Sequence, residues 1–70
     1  MKPGTLVQPS IEKVYLTPID SGAAEDTEKW VEWESERFGI VLEQNNRVTI
    51  FTENGIGYCF LDEIKIIHNV

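Results

Sequence analysis

Two turn signals in the second half of the chain constrain its fold more than any other feature. Gly39–Gln44 leads into Asn45-Asn46, residues 47–52 lead to Asn54-Gly55, and 56–61 follow. Asn-Gly between apolar runs is a strong hairpin signal, because both residues of the favoured turn need φ > 0. Asn-Asn meets the same demand less comfortably. The spacing predicts an antiparallel meander of strands at 39–44, 47–52 and 56–61. Two-residue loops set Val41 opposite Ile50 and Leu42 opposite Thr49, then Ile50 opposite Cys59 and Phe51 opposite Tyr58.

Side chains alternate along a strand, so this register sorts the meander into two faces. One collects Val41, Val48, Ile50, Cys59 and Leu61, and the other Ile40, Leu42, Phe51, Tyr58 and Phe60. Both are apolar. A sheet buried on one side only would carry polar residues on the second. The second face therefore calls for a cover, either the chain's own 30–38 segment or another molecule.

The rest of the chain leans to strand as well. Val, Ile and Thr total nineteen against two Ala, and β-branched side chains suit a pleated surface. Thr5-Leu6-Val7 reads as a short strand closed by Pro9, and 13–17 as another closed by Pro18. Asp62 reads as the cap of a tight turn ahead of a last strand at 64–67. Asp20-Ser21-Gly22 is turn chemistry. For 30–37 two readings compete. Glu25/Lys29 and Trp33/Arg37 have helical spacing, whereas Glu28, Glu32 and Glu36 would stack like charges on a helix. A strand puts Val31 and Trp33 on one face and Glu32, Glu34 and Glu36 on the other. Strand is favoured, pairing with 13–17 in a long hairpin with an acidic tip.

Seventy residues make one domain, 1–70, with a small core. Cys59 is the single cysteine, and with His68 it makes two soft ligands where a structural zinc needs four. Neither an internal disulfide nor a metal staple is expected, and no cofactor. The N-terminal residues lack the apolar core of a secretory signal, and the longest apolar run falls far short of a membrane span. An intracellular, reducing setting without a secretion signal of its own is expected, with no membrane partner. Twelve acids against six Lys and Arg give a net charge of −6, all of it arising within residues 20–36, where seven acids face one base. Phosphate backbones are bound by Lys and Arg, so nucleic acid is an unfavoured partner.

In its pattern the chain resembles the SH3-like small barrel. Gly4-Thr5-Leu6-Val7 matches the first strand, and the excursion to Arg37 an enlarged, acidic first loop at about 19–37. Phe38-Gly39-Ile40-Val41-Leu42-Glu43, 47–52 and 56–61 match the central meander, and 62–64 the position of a 3₁₀ turn before the closing strand. The likeness covers residues 3–7 and 38–67. It is similar to short, mostly uncharacterised SH3-like proteins of tailed bacteriophages and environmental sequences. The resemblance implies an all-β, SH3-like small barrel of about five strands, placed in the host cytoplasm or the virion. The Ala-Leu-Tyr-Asp-Tyr segment, Trp pair and Pro-x-x-Tyr of signalling SH3 domains are missing. Phe38-Gly39-Ile40-Val41 faintly resembles a KOW motif, without its basic residues.

No residue pattern points to catalysis. A Cys59–His68 dyad lacks a third orienting group, and Cys59 reads as a small buried hydrophobe. Glu32, Glu34 and Glu36 on one strand face stand about 6.5–7 Å apart, wide for one cation; they read as an acidic surface. Trp30 and Trp33 either fold over the second apolar face or serve as binding anchors, as Trp and Tyr often do. Trp30, Trp33, Phe51 and Tyr58 are the candidate contact residues. The expected function is a non-enzymatic interaction or structural module with a protein partner or a second copy, a homodimer being the simplest. The alternatives are an inhibitor whose acidic insert imitates nucleic-acid phosphates, and, less favoured, a KOW-like nucleic-acid binder.

Overall fold

Short alternating runs bounded by Pro, Gly and Asn favour strand over helix, and strands are what form. The computed structural model of the protein describes residues 1–19 and 30–69. The expected turn at Asp20-Ser21-Gly22 and the Glu25/Lys29 pair lie outside them. Among the described residues seven strands form: β1 (Leu6–Pro9), β2 (Lys13–Pro18), β3 (Val31–Glu34), β4 (Gly39–Gln44), β5 (Val48–Thr52), β6 (Gly55–Cys59) and β7 (Ile64–His68). A 3₁₀ turn, Leu61–Glu63, precedes β7. All pairings are antiparallel, in the order β3-β2-β6-β5-β4-β1-β7. The sheet curls into a half-barrel. Seven strands replace the expected five or so, because the chain at β2 and β3 forms a hairpin within the sheet rather than an enlarged loop. No helix among the described residues is long and apolar enough to cross a membrane.

The β2–β3 hairpin settles the strand-or-helix alternative for 31–34. Lys13 lies opposite Glu34 and Leu16 opposite Val31. Beyond Glu34 the chain turns, with Ser35 N–H donating to Glu12 O at 2.9 Å and Arg37 N–H to Glu34 O at 2.9 Å. The strand is thus shorter than the 30–37 expected.

Val7, Val14, Leu16, Trp33, Val41, Val48, Ile50, Cys59 and Ile64 form the core on the inner face of the curl. Trp33, the largest of them, is 1% exposed and donates its indole N–H to Arg37 O at 3.0 Å. Leu61 departs from expectation. The 3₁₀ turn breaks the alternation after Cys59, which leaves Leu61 53% exposed and hands the inward position to Ile64. Glu63 rather than Asp62 ties this turn: Phe60 N–H donates to Glu63 Oε2 at 2.9 Å, and Glu63 N–H to Phe60 O at 3.0 Å.

Both hairpins of the meander form, with registers that differ from two-residue loops. Val41 does face Ile50, but Leu42 is the extra residue of a bulge, so Glu43 faces Thr49 and the first loop spans 45–47. In the second hairpin Ile50 faces Gly57 and Phe51 faces Ile56, while Cys59 faces Val48 and Tyr58 faces Thr49. The turn has slid one residue, onto Glu53-Asn54, which moves the pairing by two. Buried Thr52 explains the slide: its hydroxyl accepts from Asn54 N–H at 3.2 Å and donates to Gly55 O at 2.9 Å. Only Gly55 then needs positive φ, at +141°. A slip of two keeps every strand side chain on its face, so the predicted faces, Leu61 excepted, survive the wrong register.

Candidate functional site

The outer face carries the apolar surface that the meander alone cannot bury. Leu6 lies opposite Ile40, Ile40 opposite Phe51, and Phe51 opposite Ile56, a row of four apolar side chains across β1, β4, β5 and β6. Ile40, Phe51 and Ile56 are 41%, 48% and 37% exposed. Leu42, pushed out by the bulge, adds to them.

Next to this row the sheet forks. β2 pairs with β6 only at Thr17 opposite Tyr58 and Pro18 opposite Gly57. Gly57 permits that approach: a Cβ there would stand 2.6 Å from Leu16 Cβ and 2.8 Å from Thr17 O. Towards its start β2 leaves β6 and pairs with β3 instead. The departure opens a groove of about 330 Å³, lined by Tyr15 and Trp30 from the β2–β3 hairpin and by Tyr58 and Phe60 from β6 and its end. Tyr58 and Trp30 are half-buried, whereas Tyr15 and Phe60 are exposed.

Charged groups border these rings. Arg47, at the end of the 45–47 loop, holds its guanidinium 4.6 Å from the centre of the Tyr58 ring. That loop is pinned locally: Arg47 N–H donates to Asn45 Oδ1 at 3.3 Å, and Asn45 N–H to Arg47 O at 3.0 Å. Lys13 sits 5.9 Å from the Tyr15 ring and pairs with Glu32 at 3.8 Å. Glu63 also lines the groove, its carboxylate held by Phe60 N–H.

Cys59 reaches the groove wall but is 4% exposed. Burial pushes its thiol up to about 12, with the carboxylates of Glu63 and Asp62 adding to the shift. A thiol held protonated at neutral pH is a poor nucleophile. His68 lies on β7, at the far edge of the sheet order from β6.

Of the expected contact residues, Trp30 and Tyr58 meet in the groove and Phe51 lies on the neighbouring row. Trp33 does not join them. It is core, because the β2–β3 hairpin turns its ring inward against Gly39 and Ile50, so it is withdrawn as a contact residue. Glu32, Glu34 and Glu36 are all exposed, and Glu34 and Glu36 share a shallow depression with Glu12 and Lys13. No group of three or more His, Cys, Asp or Glu among the described residues is placed to hold a metal ion. Tyr15 and Arg47 were not singled out by sequence reasoning. Tyr15 could have been, since Val14 and Leu16 alternate inward around it. Arg47 could not, because its place over Tyr58 depends on the three-residue loop. Compared with known protein families, with curated proteins and with solved structures, the chain matches none of them.

Proposed function

We propose that the protein is a non-enzymatic interaction module of SH3-like architecture, encoded by a bacteriophage, which uses its outer aromatic face to contact a partner protein or a second copy. The Leu6–Ile40–Phe51–Ile56 row carries this reading. Large apolar patches on the surface of a soluble domain usually mark a binding surface, and here the patch continues into a groove of four aromatic rings. The strand order β7-β1-β4-β5-β6, with a 3₁₀ turn ahead of β7, supports the SH3-like architecture. The phage assignment rests on the sequence resemblance.

Sedimentation and partner capture by Phe51→Ala and Trp30→Ala test the surface. Both should weaken association while shifting the monomer's melting temperature little. Trp33→Ala is the contrasting control and should cost about 3–5 kcal/mol of stability. Association unchanged in both outer-face variants would overturn the proposal. The depression shared by Glu12, Glu34 and Glu36 favours the acidic mimic as second reading, and that mode alone would lose binding steeply with added salt.

A further inference from the structure

We infer that the groove at the β2–β6 fork takes a peptide segment of a partner protein in which an aromatic or bulky apolar anchor is followed closely by a carboxylate, with Arg47 as the group that receives the acid. This rests on the interaction-module reading and specifies what one part of that surface selects.

Three observations lead there. First, the groove presents the rings of Tyr15, Trp30, Tyr58 and Phe60 around about 330 Å³, the scale of one or two large side chains rather than of a folded surface. Second, Arg47 is positioned and uncommitted. Its guanidinium lies 4.6 Å from the Tyr58 ring centre, and its side chain makes no hydrogen bond or ion pair with the described residues. By contrast, Lys13 is engaged by Glu32 and Arg37 by Glu53 at 3.1 Å. A guanidinium stacked on a ring keeps its N–H edge free, and that edge matches a carboxylate in two parallel hydrogen bonds. Third, Glu63, the single carboxylate of the lining among the described residues, already accepts from Phe60 N–H at 2.9 Å and so binds the turn rather than Arg47.

Net charge decides between the two ligand classes that combine a flat group with an anion. Single-stranded nucleic acid would stack bases on the rings and give phosphate to Arg47. It would also bring a run of negative charge towards a protein of net charge −6, with Glu32 opposite Tyr15 in the sheet. A peptide with one acid beside its anchor avoids that repulsion.

The test is a titration of the full chain, followed by ¹⁵N chemical shifts, with N-acetyl-phenylalanine and its neutral isostere N-acetyl-phenylalaninamide. Both should move the Trp30 indole and the Tyr58 and Phe60 amide signals. The carboxylate should bind about threefold to tenfold more tightly, the range from an exposed ion pair to a charge-assisted hydrogen bond. Arg47→Gln should erase the difference between the two ligands. Equal affinity for the two ligands in the wild type overturns the Arg47 assignment, as does a preference that survives Arg47→Gln. Shifts at Trp30 and Tyr58 with the amide would in that case keep the aromatic surface standing. No shift with either ligand overturns the anchor as well, and tighter binding of a five-residue oligothymidylate would replace the peptide with nucleic acid.

Discussion

Trp33 and Phe51 show how little separates a core residue from a surface one in so small a sheet. Both are aromatic and both sit mid-strand, yet Trp33 is 1% exposed and Phe51 48%. Parity along the strand decides it: Trp33 points to the side of Val14 and Ile50, and Phe51 to the side of Ile40 and Ile56. The same parity turns Cys59 inward. Its thiol, raised by burial and by Glu63 and Asp62 from 9.0 to about 12, should be all but inert. Since the thiolate is the reactive form, and its greater basicity offsets only part of its scarcity, a disulfide reagent at neutral pH should label the folded protein at least about thirtyfold more slowly than the unfolded chain. Labelling at the unfolded rate would mean that Cys59 is open to solvent. The linked stability has a definite sign. A raised folded-state pKa stabilises the protonated fold, so this contribution is complete below 9.0 and is lost as pH climbs towards about 12. The stability advantage of wild type over Cys59→Ala should narrow across that window, and a constant difference would contradict it.

At the scale of elements, the β5–β6 hairpin separates what can be read from residues from what cannot. Turn chemistry at Asn54-Gly55 placed the hairpin, and alternation placed Val41, Val48, Ile50 and Cys59 inside. Both are local properties. The register was misread by two because it depends on partners far along the chain. Asn54 Nδ2 donates to Glu32 O at 2.9 Å, across 22 residues, and the Thr52 hydroxyl ties the turn from within the sheet. The same limit explains the site. Trp30, Phe51 and Tyr58 could be named as contact residues, whereas their division into a row and a groove follows from the fork that Gly57 permits. Gly55 carries both kinds of constraint. Its φ of +141° is strained for any side chain, and a Cβ would stand 3.3 Å from Val31 Cγ2, so the turn and the β3 contact fail together. Gly55→Val should therefore cost about 2–4 kcal/mol, strain plus displaced packing, read as a lower urea midpoint. A variant as stable as wild type would mean that the turn sits elsewhere.

For the whole molecule the deciding quantity is charge in a small volume. Twelve acids and six bases occupy a chain whose Cα radius of gyration is 11.0 Å. That distance is close to the Debye length of about 10 Å at 0.1 M salt, so at low salt each charge interacts with much of the rest, and at 1 M, where it is about 3 Å, with almost none. Salt acts on two opposing terms. It weakens Lys13–Glu32 and Arg37–Glu53, but both pairs are exposed and such pairs are worth only about 0.2–1 kcal/mol each. It also relieves repulsion among the excess acids, which is destabilising in a compact state. Glu12, Glu34 and Glu36 crowd one depression with a single Lys13, already drawn to Glu32. Repulsion should win, and the melting temperature should rise by about 2–5 °C between low salt and 0.5 M sodium chloride, equivalent to roughly half a kcal/mol in a domain of this size. Removing two of the crowded charges with Glu34→Gln and Glu36→Gln should raise the low-salt value and flatten the dependence. A wild type whose melting temperature is flat or falls with salt would show that the acids are compensated within the fold. A double variant with the full salt slope would place the repulsion elsewhere in the chain.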